Sequence, residues 1–271
     1  MVSLSISGSS AASQQITQKS EALQKSSQRI ASGSRLARPE EDAAGVAVSA
    51  NLSALISRLE ASSEGLQNLS SFAQTSDGYL STVQQQLTRM SELAQRATDG
   101  TLSTIDRGAY DLEFQQLKEQ IGTITQNASF NENFVFQNGV VSTGLENGAT
   151  VSFKTSNTGS PASLGISALQ IDSASNAQSS IVSLTQSIQT LSTRRAEVGA
   201  DLSQIYFNLQ NTRRSSSNTT ESRGRIVDLD LAEETTRLSA QSILQKVSIS
   251  ILAQSNRHES GEFSPTLMAV F

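Results

Sequence analysis

Asp228, Asp230, Glu233 and Glu234 place four carboxylates within a few residues of one another, a grouping that can hold a divalent cation or divide acid and base roles. The same residues have a plainer use. Asp230 and Glu233 stand at capping-box spacing, and acids in the first turn of a helix are stabilised by its dipole. The sequence favours that second reading, because nothing nearby completes a reactive site. His258 is the only histidine and the chain has no cysteine, so there is no zinc ligand set, no thiol nucleophile and no Ser-His-Asp arrangement. No HExxH, phosphate-cradling glycine loop or GxSxG motif is present. The expectation is a protein that is no enzyme and carries neither cofactor nor metal.

The arginine pairs Arg194 with Arg195, Arg213 with Arg214 and Arg223 with Arg225 suggest a nucleic-acid stripe only in isolation. The formal net charge is -5 and aromatics make up 4% of the chain, which leaves little cationic field and few stacking surfaces for bases. Solvated faces or contacts to a neighbouring subunit are expected instead. A hydrophobic fraction of 36% with no Trp argues against a thick interior and for elongated helical packing. No stretch reaches the roughly 20 apolar residues of a membrane span. The opening MVSLSISGSSAASQQITQKSE lacks the basic start and unbroken apolar run of a cleavable signal, so export would have to read something else.

Proline occurs only at positions 39, 161 and 265, leaving two long stretches without an obligatory helix breaker. From Leu52 through Leu55, Leu59, Ser62, Leu66, Leu69, Ala73, Ser76, Leu80, Val83, Leu87, Met90, Ala94 and Ala97, apolar or small residues recur at steps of three and four. That heptad seam predicts a helix on the order of 70 Å long. Pro39, Glu40, Glu41 and Asp42 predict its first turn near residue 40, and Asp99-Gly100 its end. A second stripe at Tyr110, Phe114, Leu117, Ile121, Ile124 and Ala128 predicts a shorter helix folding back on the first. Between 129 and 172 the chain turns rich in Asn, Gly and Ser. Asn138-Gly139 and Asn147-Gly148 there predict two or three small hairpins. The helical period resumes at Ile181, Leu184, Ile188, Leu191, Val198, Leu202, Ile205 and Leu209, with Arg195 interrupting the seam.

Toward the ends the stripe thins. Ile16, Leu23 and Ile30 keep a seven-residue spacing among Lys and Ser, and Leu238, Ile249 and Leu252 punctuate an equally polar run. Burying one such side chain gives about 1.5–3 kcal/mol, whereas ordering backbone costs about 1–2 kcal/mol per residue. These six residues are therefore expected to find partners on other chains and to form a polymerisation interface, the ends being unfolded alone. The last helix is expected to stop near Arg257, since Gly261 and Pro265 follow.

The run LQKSSQRIASGSRLARPEEDAAGVAVSANLSALISRL, with Ser32, Gly33, Arg35, Leu36, Asp42, Ala43, Ala44 and Gly45 carrying the match, resembles the N-terminal signature of bacterial flagellins. LTRMSELAQRATDGT and FNENFVF are similar to later segments of that family, and RRAEVGADLSQIYFNLQNT and RGRIVDLDLAEETTRLSAQSILQKVSISILAQSN to its C-terminal helix. Two distant blocks in the right order cover most of the chain. The ending RHESGEFSPTLMAVF departs from the short apolar end usual in the family.

The resemblance implies a mainly α fold: an elongated antiparallel helical bundle built from N- and C-terminal segments, with a small β-hairpin region in the middle. Its divisions are an N-terminal assembly segment over 1–40, rod helices over 41–128, the β-hairpin region over 129–172, a rod helix over 173–225, and an assembly segment with tail over 226–271. The implied function is a structural subunit, secreted through the flagellar export apparatus, that polymerises into the extracellular filament for motility. Implied partners are other copies of itself, an export chaperone on Ile243, Leu244, Val247 and Ile251, and the filament cap and hook-associated proteins. A Toll-like receptor facing Arg89, Glu92, Leu93 and Glu113 is a further implied partner. Leu52, Leu59, Leu66, Leu80, Leu87, Leu191, Leu202 and Leu209 are expected to form the helical core seam. A hook-filament junction protein with the same terminal helices is the alternative, and an adhesin using residues 129 to 172 a more distant one.

Overall fold

The computed structural model describes residues 2–261, and side-chain surroundings from 13 to 254. His258 and the sequence beyond Gly261 therefore lie outside what is described below. Five long helices and two small antiparallel ribbons follow one another: α1 (Val2–Ser32), α2 (Ala43–Ala97), α3 (Thr104–Asn127), β1 (Ser129–Phe130), β2 (Asn133–Phe134), β3 (Gly139–Gly144), β4 (Thr150–Thr155), α4 (Ala174–Val227) and α5 (Leu231–Gly261). They form two compact units, one made of residues up to Ala54 and from Asn218, the other of Leu55–Ser217.

In the Leu55–Ser217 unit the three-four spacing does what its period requires. Leu59, Leu66, Leu80, Leu87 and Leu191 are all buried, and Leu209 with them; Leu202 is half-buried against the same core. Leu52 of the other unit is also half-buried. Phe114 and Ile121 bring α3 into the core, so the short helix does fold back on α2.

Helix ends account for their own polar groups. Ser103 caps α3 by accepting from the Asp106 amide at 3.1 Å. Arg107, buried, donates to the Ala97 and Asp99 carbonyls at 3.0 Å each and so closes the C-terminus of α2. Asp99 accepts from the Thr101 amide and hydroxyl, and the amide bond first of all holds its carboxyl below the usual range.

Two ribbons, not three, make up the β region. The first turns on Asn131 and Glu132, whose φ values of 48° and 67° belong to a two-residue hairpin turn, within the FNENFVF run. In the second, Val141 faces Phe153 and Asn147-Gly148 lies in the connecting loop, as expected. Asn138-Gly139 is no hairpin turn: Gly139 opens β3, and the Asn138 amide oxygen accepts from the Asn157 amide at 3.1 Å. Val151, Phe153 and Thr155 alternate inward along β4. Phe153 meets Phe72 of α2 edge-to-face at 5.5 Å between centroids.

Arg194 overturns the expectation of a solvated pair. It is buried, lies 5.7 Å over the Phe153 ring, donates to the Lys154 carbonyl and pairs with Glu197 at 2.9 Å. Arg195 does stand beside the seam, yet it is held there by Asp77 at 2.8 and 3.1 Å and by Gln84 at 2.8 Å. A fork of donors finds acceptors across the bundle, so the interruption becomes a cross-link.

Candidate functional site

The residues that carry the N-terminal signature build a clamp between the two chain ends. Helix α1 stops at Ser32 because Gly33 takes φ +66°, a conformation that a side chain would strain. The chain then runs alongside residues 226–229. Arg35 donates its backbone amide to the Val227 carbonyl at 2.7 Å and its guanidinium to the Ile226 carbonyl at 2.8 and 3.0 Å. Ser34 and Asp228 form an antiparallel bridge, and the Leu229 amide donates to the Gly33 carbonyl.

The acidic run after Pro39 precedes α2 and does not form its first turn. Helix α2 begins at Ala43 because the Asp42 carboxylate accepts from the Gly45 amide at 2.7 Å, which makes Asp42 its cap. A Cβ at position 45 would sit 2.4 Å from that carboxylate, so the Asp-Ala-Ala-Gly run reads as one capping device. Glu41 is taken by Arg29 of α1 at 2.7 Å, and Arg38 donates to Gln28 at 2.8 Å. At the other end Asp230 caps α5, accepting from the Ala232 and Glu233 amides at 2.9 and 3.1 Å. No group of three His, Cys, Asp or Glu among the described residues could hold a metal ion.

Beyond the clamp, α1 and α5 lie against each other, with Cα traces repeatedly within 8 Å. Small and polar residues allow that approach. The α5 side chains turned inward are Glu234, Leu238, Gln241, Ser242, Gln245, Ser248 and Leu252, a three-four seam with only two apolar members. Gln241 accepts from the buried Ser26 of α1 at 3.3 Å. On α1, Ile16, Leu23 and Ile30 are half-buried. Each end thus has a partner within its own chain, which corrects the expectation that only other chains supply one. α5 also runs on to Gly261, past the stop foreseen at Arg257.

The oily side chains of α5 lie mostly elsewhere. Ile243 and Ile251 are each 60% exposed, and Leu244, Val247 and Ile249 nearly half. The apolar stripe of α5 therefore faces solvent, where a contiguous patch of this kind marks an interaction surface.

A second surface patch joins α2 to α3. Arg89 donates to Glu113 at 2.9 Å and to Glu92 at 3.1 Å, and Glu113 first, then Glu92, raises its guanidinium above an already high value. All three are partly exposed. Leu93, expected among them as an outward apolar anchor, is fully buried: it lies one position round the helix from Glu92, on the core face with Met90, Ala94 and Ala97. The buried arginines Arg107 and Arg194 went unforeseen as structural residues; the Asp99-Gly100 stop before Arg107 marked the helix junction but not the part this arginine plays in it.

Two family models match the chain: the bacterial flagellin N-terminal helical region over residues 5–140 and the bacterial flagellin C-terminal helical region over residues 181–260. A flagellin of Halalkalibacterium halodurans is 30% identical over 239 residues, covering 86% of this chain and 88% of that one. A flagellin of Listeria innocua is 28% identical over 261 residues, covering 89% and 91%. Among solved structures, Bacillus cereus flagellin aligns with TM-score 0.51 at 27% identity, over 55% of this chain and 88% of that one. A flagellar hook-associated protein of Vibrio parahaemolyticus aligns with TM-score 0.62 at 15% identity, over 69% and 100%, a likeness of fold alone.

Proposed function

The chain belongs to the bacterial flagellins, structural subunits of the extracellular flagellar filament that serves motility, and from that premise we propose that the exposed face of α5 is its polymerisation surface. The observation that carries this reading is the inversion of α5: a polar seam toward α1 and apolar side chains toward solvent. Covering the exposed half of each side chain gives on the order of 1 kcal/mol apiece, and repeating the contact from copy to copy extends a polymer without closing it. Ile249 is the exposed member of the six expected interface residues. Ile16, Leu23, Ile30, Leu238 and Leu252 are half-buried within the chain, so each has only part of its surface left for a neighbouring copy. Ile249→Asp should leave the monomer's thermal melt unchanged and abolish sedimentable filaments; normal polymerisation by that variant would refute the assignment.

The same face suits an export chaperone before assembly. Ile243, Leu244, Val247 and Ile251 lie at helix spacings that fit a groove, and all are exposed. A chaperone and a neighbouring copy would then compete for one surface. If Val247→Asp binds the chaperone as the wild type does, that competition is excluded. Secretion through the flagellar export apparatus and assembly beneath a cap, onto hook-associated proteins, belong to the same scheme.

Arg89, Glu92 and Glu113 form the surface a Toll-like receptor would meet, with Leu93 supporting it from beneath. Arg89→Gln is the discriminating change, because an Asp at Leu93 would place a charge in the core. Undiminished receptor signalling by folded Arg89→Gln monomer would end this assignment. The adapter reading at a hook-filament junction gains no support, since its likeness is one of fold while the flagellin relatives match along most of the chain.

A further inference from the structure

We propose that the pocket between the clamp and the first turn of α5 is a socket for a lysine ammonium of a second copy of the chain. Four carboxylates, of Asp228, Asp230, Glu233 and Glu234, line a cavity of about 440 Å³ together with the guanidiniums of Arg29, Arg35 and Arg237. Four acids against three arginines leave the pocket negative.

The arginines are already engaged. Arg29 holds Glu41 at 2.7 Å, Arg35 holds the Ile226 carbonyl at 2.8 Å, and Arg237 holds Glu233 at 2.8 Å. Arg237 comes no closer than 3.6 Å to the Oε2 of Glu234. The Oε1 of Glu234 has no hydrogen-bond partner, although the residue is only 3% exposed. A buried carboxylate with an unanswered oxygen is costly, and the remedy is a donor that arrives from outside. Anions are excluded by the sign of the pocket. The carboxylates do not converge on one point as a metal would need. An ammonium, with three donors and one charge, matches an unpartnered oxygen among scattered acceptors.

The copies of a filament are the partners that the family guarantees, and the pocket belongs to the same compact unit as the exposed face of α5. That unit also carries the cations. Lys25 of α1 and Lys246 of α5 are exposed, and neither enters any described salt bridge. Net repulsion between acidic subunits is relieved where such a lysine meets the pocket. The inference rests on the assembly role of the α1–α5 unit and adds a polar lock to its apolar face.

The test uses full-length protein. Glu234→Gln should melt at or above the wild-type temperature, because the buried charge is gone, while its critical concentration for polymerisation rises about tenfold. Lys25→Gln or Lys246→Gln should show the same rise, and combining the responsible one with Glu234→Gln should add nothing further. Assembly of Glu234→Gln at the wild-type concentration would overturn the socket. So would a lowered melt whose assembly defect neither lysine variant shares, since Glu234 would then serve only the monomer. Ile249→Asp separates the two ideas: normal assembly by that variant removes the apolar interface without touching the result at Glu234.

Discussion

The seam of the Leu55–Ser217 unit and the seam between α1 and α5 use the same spacing and different fillings. In the first, leucines, Val83, Met90 and phenylalanines close a continuous core. In the second, Ser26 meets Gln241, and Gln245 and Ser248 stand where leucines would. A heptad spacing tells the backbone where to turn, but only apolar area removed from water tells it how firmly to stay. One region closes an apolar core on itself, and the other leaves much of the apolar surface of α5 exposed, the face proposed above for polymerisation.

The comparison breaks first at its strongest point. Leu66→Asp puts an unpaired charge at a position with no exposure, and the expected loss of about 3–5 kcal/mol should abolish the cooperative melt followed by far-UV circular dichroism. Survival of that melt would mean that the bundle is not held by its seam. Arg194→Met keeps the stem of the side chain but leaves the Lys154 carbonyl and the Phe153 face without their cation, for a loss of about 1–3 kcal/mol in urea unfolding. On the other side, Leu23→Ala should cost about 1 kcal/mol or less and be felt locally. Amide exchange should quicken in α1 and α5 alone, and a uniform increase across α2 would erase the proposed distinction. Smallest is Asp201→Asn. Desolvation first, with Glu197 adding and Arg194 opposing, raises the Asp201 carboxyl above its ordinary value of 3.8. An acid raised in the folded state contributes stability at low pH and loses it as pH climbs through its folded value. The asparagine variant should therefore melt slightly higher at pH 7, with the gain vanishing below about pH 3.8.

Much of this is legible in the residues alone. Leu59, Leu66, Leu87 and Leu191 are core residues because their period admits no other helix face, and Asp230 caps a helix because its carboxylate reaches the first free amides. Leu93 shows where that legibility ends. Its type and its neighbours Arg89 and Glu92 suit a binding surface, but one residue along an α-helix is a turn of about 100°, enough to carry a side chain from rim to core. Arg194 and Arg195 differ in the same way: adjacent and chemically alike, one lies under the β-hairpin and the other reaches Asp77.

The sequence by itself determined the helical periods, the capping role of Asp230, the absence of a thiol or multi-histidine site and the flagellin family, because each depends on residue types at short, fixed separations. Only the tertiary structure decided that Arg35 clamps residues 226 and 227, that α5 turns its isoleucines away from α1, and that Glu234 is buried with an oxygen unanswered. Those facts join positions about two hundred residues apart or depend on which face a helix offers its neighbour. Such relations are settled by packing in three dimensions, where every face competes for the same partners.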